Sequence, residues 1–422
     1  MRKVLTILLL FCTLQVLSAQ SLEEFFGFPS PLRSVREKRV EWLYDIRFKY
    51  NFDNREYDLS QGRYSPSQTL HTATLTPLAG LQLTQSKSLS HKLMFGIDIT
   101  KNMGEYPVTE ADRSLVNWKM FDEILMYYRM QLQAGETEFL MTAGVFSRDE
   151  VDGKYTTAFI SDYHNIIDRN LEGLLLQLKR PQSYYEIGCD WTGMIGSMRR
   201  EQFLIFSYGQ TQPLPWLSAG WRLSATHYAN ALEYGGVVDN ILLEPFLKAG
   251  IPERKNWKEL SMTLGWLQGA HQDRKRDTGI RFPGGLQMQA NVQYRSLGAN
   301  MLLYHGKTIM PFFDLIDSGG FQYGTDLYWG DPFYRLYAPD TYAHSHERGT
   351  YGRLEGFWQP HISDFLDLRL SCLVHFTGEM NSRSHCAGWQ QKLSLFFSLD
   401  RRSSGRKTQP SGRTRLINGN RI

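Results

Sequence analysis

The sequence predicts an all-β chain: a transmembrane antiparallel β-barrel of about 16 strands, with short periplasmic turns and long extracellular loops. Three observations predict it. In VEWLYDIRFKYNF, residues 40–52, Trp42, Tyr44, Ile46, Phe48, Tyr50 and Phe52 share one parity. Asp45, Arg47, Lys49 and Asn51 share the other, so an extended chain is apolar on one side and polar on the other. The same alternation recurs along the chain, and the connections between its occurrences alternate between short and long.

The elements follow in order. MRKVLTILLLFCTLQVLSAQ opens with Arg2 and Lys3, runs apolar from Val4 to about Leu17, and reaches the small-residue site Ser18-Ala19. This reads as a secretory signal, residues 1–19, with Cys12 inside its apolar run. Residues 20–39 are expected to be a periplasmic segment, 40–399 the barrel, and 400–422 a basic disordered tail. After the leader, no run approaches the roughly 18 apolar residues of a membrane helix. Aromatics make up 13% of the chain and Gly counts 36, yet the apolar residues are dispersed, as period-two strands require.

Beyond residues 40–52, HKLMFGIDIT (91–100) opposes Leu93, Phe95, Ile97 and Ile99 to Lys92, Asp98 and Thr100, and LQMQANVQYR (286–295) alternates in the same way. Comparable segments lie near 72–83, 121–133, 137–146, 170–180, 183–191, 201–210, 216–228, 240–250, 258–268, 297–305, 350–359, 365–376 and 388–399. Several are about 10 residues long, enough for a tilted strand to cross a bilayer. Pro77 and Pro245 fall inside strands, where bulges or shifted boundaries are expected. EQFLIFSYGQ (201–210) is apolar on both parities and is expected to face a plug or a neighbouring subunit.

Tight connections stand at 134–137, 180–182, 211–215, 295–298 and 359–364, with somewhat longer links near 84–91 and 251–257. Between them lie long polar ones near 53–70, 102–119, 147–169, 229–239, 269–284, 306–349 and 377–387, and a shorter one near 192–200. A soluble sandwich has no reason to keep its long loops at one end of every hairpin; an outer-membrane barrel does. GTDLYW (324–329) has strand character, but counting it would give an odd total, so it is placed inside one long external loop. Trp42, Tyr185, Tyr294 and Phe397 fall near the short-turn ends and Phe52, Trp191, Trp266 and Trp389 near the long-loop ends, as two interfacial girdles.

Cys189, Cys372 and Cys386 remain after the leader, an odd number at wide separations, which excludes a disulfide framework. The net charge of +4 contains seven basic side chains after residue 400 and two in the leader, so the stretch between them is net acidic. A nucleic-acid partner is excluded for an exported chain.

LMTAGVFSRDEV, NLEGLLLQLK, YYEIGCDWTGM and REQFLIFSYG, from Leu140 onward, resemble a family of largely uncharacterised porin-like outer-membrane β-barrels of Gram-negative bacteria. The resemblance implies the barrel fold and the cell outer membrane. The architecture also resembles the general diffusion porins, in which the third external loop folds into the pore. By that analogy Asp149, Glu150 and Asp152, in SRDEVDGKYTTAFISDYHNIIDR (147–169), form a pore constriction.

Polar parity places Arg47, Lys49, Arg129, Glu186, Asp190, Arg222, Arg295, Arg353, Glu355 and Arg369 along the lumen, with neither sign dominant. In the loop 306–349, Tyr323, Tyr328, Trp329 and Tyr334 stand among carboxylates, a composition suited either to gripping glycans or to packing as a lid. His344 and His346 lack further ligands, so neither metal nor cofactor is expected. Asp367, Ser371 and His375 share a strand face, on which even successive residues stand roughly 7 Å apart, too far for a relay; with no hydrolase motif present, no enzyme is expected. The function predicted is passive diffusion of small polar solutes. The alternative is a closed barrel whose loops bind or assemble glycans. The partners are outer-membrane lipid, the solutes or glycans themselves, and further copies of the chain in a homo-oligomer.

Overall fold

The computed structural model describes residues 39–57, 67–103, 121–197, 199–229, 231–254, 256–276, 279–316, 319–320, 322–336, 348–379 and 385–400. The stretches expected to be a leader and a basic tail, and all but Arg39 of the expected N-terminal segment, lie outside them apart from Asp400.

Each predicted strand is present: β1 (Arg39–Tyr57), β2 (Gln68–Thr84), β3 (Leu89–Asn102), β4 (Phe121–Ala134), β5 (Thr137–Ser147), β6 (Asn170–Arg180), β7 (Ser183–Gly193) and β8 (Gln202–Leu214). The sheet continues with β9 (Leu217–Tyr228), β10 (Val238–Gly250), β11 (Trp257–Asp273), β12 (Gly284–Tyr294), β13 (Leu297–Lys307), β14 (Arg348–Trp358), β15 (His361–Ser363), β16 (Leu366–Glu379) and β17 (His385–Asp400). β15 is a three-residue addition in the tight turn, because β14 pairs directly with β16. Consecutive strands are antiparallel neighbours, and β1 pairs with β17 from Asp45↔Asp400 to Tyr57↔Gly388, so 16 strands close the barrel. Closure leaves no backbone edge to lipid, which is why an unbroken sheet is tolerated there.

The parity of β1 is resolved. Trp42, Tyr44 and Ile46 are exposed on the outside, while Asp45, Arg47, Asp53 and Arg55 are buried inside. Leu93 and Phe95 point out and Met94 and Asp98 in; Leu260, Met262, Leu264 and Trp266 form another outward row. An apolar belt on the convex face and ionised groups within are what a bilayer outside and water inside select. Trp42, Tyr294, Trp191, Trp266 and Trp389 are all exposed on the outer face.

The two prolines do not produce bulges. β2 pairs with β1 through Ile46↔Pro77, and its register with β3 is the same on either side, at Leu75↔Ile99 and Leu78↔Gly96. β10 behaves alike, with Pro245↔Trp221 kept and Leu243↔Gln268 and Phe246↔Gly265 flanking the gap. Proline removes one N–H, which points to one neighbour only, so a single ladder lapses locally and the strand does not shift.

Candidate functional site

Two segments enter the lumen from the long-loop end. The first leaves β5 at Ser147, whose Oγ accepts the Asp149 amide and starts the 3-10 turn Arg148–Glu150. Arg148 turns the chain inward by pairing with Asp190 at 2.5 Å and Asp168 at 2.8 Å. After crossing the lumen the segment ends in α1 (Asp162–Ile167), capped by Ser161, whose Oγ accepts the His164 amide.

The crossing is held by charge. Asp149 meets Lys49 at 2.6 Å, while Glu150 meets Arg47 at 3.1 Å and Arg129 at 2.9 Å. Asp152 pairs with Lys179, and Asp162 accepts from Arg353 and Lys392, each at 2.8 Å. Burial opposes ionisation of Asp149 and Glu150, yet Lys49 and Arg47 hold the first carboxyl below its usual range, and Arg129 with Arg47 holds the second far below it. Both loop acids therefore remain charged.

On the opposite wall the contact is backbone to carboxylate. Glu186 accepts the amides of Asp152 at 3.1 Å and Gly153 at 3.0 Å, and also the Tyr184 hydroxyl. A Cβ at residue 153 would stand 2.1 Å from Glu186 Oε1 and 2.7 Å from Tyr208 Cβ, so the approach requires glycine. Gly153→Ala is expected to lift this stretch off the wall, exposing the Lys154 peptide bond to trypsin in the folded barrel; unchanged cleavage would show that the wall yields instead. Next to it Tyr155 packs on Phe206 and Tyr208. This contact explains the doubly apolar β8: its inner face, Leu204, Phe206 and Tyr208, meets a plug.

The second segment, residues 308–336 as far as they are described, was expected to be external, and here the structure corrects the sequence reading. GTDLYW contains the short helix α2 (Gly324–Leu327) and is no strand, but the segment folds into the barrel. Tyr323, Tyr328, Trp329 and Tyr334 are 4%, 2%, 6% and 0% exposed, so they offer no outer glycan platform. The Tyr323 hydroxyl donates to Asp273, that of Tyr334 to Gln287, and the Asn240 amide to the Leu327 carbonyl. With Ile309, Met310, Phe312 and Phe333 also buried, the segment is too apolar to lie in water and covers its rings against the wall and the first segment. His344 and His346 lie outside the described residues.

The two segments interlock. The Ser161 amide donates to the Trp329 carbonyl and the Asp331 amide to the Thr157 carbonyl, both at 2.7 Å. Three histidines grip the second segment: His164 stacks on Trp329 at 5.1 Å, His375 on Phe333 at 4.7 Å, and His271 stands edge-on to Phe312. Burial, then Arg148, lowers His164 to about 4. Its neutral form thus contributes stability that is complete above the ordinary 6.5 and is lost as the pH falls through about 4. Amide exchange across residues 161–168, corrected for intrinsic rate, is expected to accelerate over that window, and His164→Gln is expected to remove the acceleration.

Of the predicted lumen residues, Arg47, Lys49, Arg129, Glu186, Asp190, Arg222, Arg353, Glu355 and Arg369 point inward. Arg222 pairs with Glu244 at 2.8 Å and donates to the Lys154 carbonyl; Arg369 pairs with Glu355 at 2.6 Å. Arg295 does not line the lumen. It sits in the two-residue turn between β12 and β13 with φ 51°, exposed beside the Tyr294 ring, because so tight a turn demands a left-handed residue. The predicted constriction residues Asp149, Glu150 and Asp152 all lie inside the barrel.

Two cavities flank the first segment. One, of about 180 Å³, lies between residues 148–169 and the wall of β14, β16, β17 and β1. The other, of about 340 Å³, lies towards the short-turn end among Lys154, Gln210, Lys248, Glu259 and Gln293. Among the described residues, no cluster of three metal-ligating side chains occurs.

No protein-family model and no curated protein matches the chain. Among solved structures, a loop-L8 deletion form of OmpT, an outer membrane protein of Vibrio cholerae, is 8% identical with a TM-score of 0.46, over 86% of this chain and 100% of that one. OccD3 (OpdP) of Pseudomonas aeruginosa is 10% identical with a TM-score of 0.41, over 85% and 91%. OccK3 (OpdO) of the same organism is 8% identical with a TM-score of 0.41, over 89% and 99%. At such identities nothing about solute or mechanism carries across. By its closed sheet, apolar exterior and charged, loop-threaded interior, this chain is a 16-stranded transmembrane antiparallel β-barrel.

Proposed function

We propose that the barrel is a narrow passive channel for small polar solutes and carries no catalytic activity. The observation that supports this reading is the cavity with charged side chains in its lining between residues 148–169 and the β14–β16–β17–β1 wall, where Asp149 and Glu150 face Lys49, Arg47 and Arg129. Fixed charges of both signs across a narrow gap orient dipolar solutes and delay apolar ones, without a strong preference for either ion.

Planar-bilayer conductance of the refolded mature chain tests it: stepwise openings are expected. Asp149→Asn combined with Glu150→Gln releases Lys49 and Arg129 into the gap and leaves Arg47 with Asp45 alone. The reversal potential in a KCl gradient is then expected to move towards anion selectivity, and an unmoved potential would place the solute path elsewhere.

The second reading is a barrel closed to solutes that acts through its outer surface. It is favoured by residues 308–336, whose buried rings occupy lumen that a wide channel would leave to water. Silence from the intact chain would select it.

A further inference from the structure

The charged groups that line the 180 Å³ cavity already stand in ion pairs, although Asp162 Oδ1 accepts no hydrogen bond within the protein. Lys49 is paired with Asp149, Lys392 with Asp162, Arg369 with Glu355, and Arg47 with both Asp45 and Glu150. Asp53 is held by Arg55 at 2.8 Å, Arg148 by two carboxylates, and Arg169 stands 3.9 Å from Asp98. An ion that gave up its water to bind here would have to break one of these pairs or go unpartnered, which is strongly unfavourable for a buried charge, whereas an ion that passes hydrated is not so opposed.

The neutral lining is the reverse. Asn51, Ser371 and Ser394 face the same cavity, and among the described residues none of their side chains has a hydrogen-bond partner in the protein. Asn51 lies directly across from Ser394 in the β1–β17 register, and Ser371 lies across from Lys392, two residues before Ser394 on β17. Together they offer an amide with two donors and an acceptor, and two hydroxyls that donate and accept. Phe396 and Ile166 supply apolar flanks. The volume falls below the roughly 300–1,000 Å³ of pockets that enclose drug-sized ligands, so the occupant is small.

We infer that this cavity is a binding site for a neutral polyhydroxylated solute of monosaccharide size, held by Asn51, Ser371 and Ser394 against Phe396. The inference rests on the channel reading and names its solute class. Such a solute exchanges water hydrogen bonds for protein ones group by group, and its hydroxyls match groups that no ion pair has claimed. Gluconate and glucosamine, close to glucose in size, carry a charge that would have to compete with the ion pairs already formed in the lining.

Two measurements separate the inference from the reading beneath it. KCl conductance tests the channel alone. Saturation-transfer NMR on the full mature chain in detergent, with glucose as probe, tests the site whether or not the pore conducts. Transfer is expected from glucose, at least several-fold weaker from gluconate and glucosamine, and lost in the triple variant N51A/S371A/S394A. Because the three side chains hold nothing else in place, that variant is expected to fold and to keep its KCl conductance. Absence of glucose transfer, equal transfer from gluconate, or transfer that survives the triple substitution would overturn the inference. Silent KCl recordings with the glucose signal intact would overturn the channel and leave the site.

Discussion

Excising residues 309–336 and rejoining the chain with a short Gly-Ser linker is expected to raise single-channel conductance several-fold. A barrel of about 16 strands encloses more space than its wall side chains fill, so its lumen is wet unless something occupies it. Here the occupant includes Phe312, Phe333, Tyr334 and Trp329, all buried within the barrel. The wall does not depend on them, because every strand keeps both neighbours through backbone pairing. Excision also removes the carbonyl that receives the Ser161 amide and the amide that Thr157 binds, so residues 157–161 gain freedom to move aside. Conductance equal to that of the intact chain would mean that residues 148–169 alone set the bore.

The second large effect is expected at Asp162. Its carboxylate, 8% exposed, accepts from Arg353 and Lys392 at 2.8 Å each, and these cations hold it well below the usual carboxylate range against the cost of burial. Asp162→Asn takes from Arg353 and Lys392 the carboxylate that both contact, leaving Glu355 as the nearby acid that acts on the two cations. Loss of one partner from a buried pair costs about 3–5 kcal/mol, and the adjoining cavity, by admitting water to Lys392, places this site towards the lower end. Urea unfolding of the reconstituted barrel should show the loss as a lower midpoint at unchanged slope. Adding Arg353→Met should recover part of it, since one unpaired cation is then gone. For the unmodified protein the sign with pH follows: the Asp162 contribution is complete above the ordinary 3.8 and disappears only as acid protonates the carboxyl below that value.

Strand positions, pairing order and the inner and outer faces were legible in the sequence because each rests on a short-range rule. Alternation in residues 40–52 needed only Trp42 and Arg47 to be told apart, and the regular succession of tight and long connections gave the closure. The inward course of residues 148–168 was legible by resemblance, and the charge pairing of Asp149 and Glu150 with Arg47, Lys49 and Arg129 was not, since it joins elements far apart in the chain. The path of residues 308–336 was misread. Ile309, Met310, Phe312, Phe313 and Leu327 are a poor composition for a solvated loop, and the doubly apolar EQFLIFSYGQ called for a plug. Taken together, those two signals point inward. Arg295 shows the limit of parity: the alternation that assigns a side chain to the lumen ends where the strand does.

The seam between β1 and β17 joins residues separated by almost the whole length of the barrel. No partial chain can make it. Until the last strand is in place, β1 and β16 present two raw edges able to add any passing strand, and the entropy of bringing such distant partners together is met only at the final step. Folding of this protein is therefore slow by topology. Its most vulnerable species is the nearly finished sheet, complete in every hairpin and still open, so whatever shields that sheet during assembly must act on its two outer strands rather than on its interior.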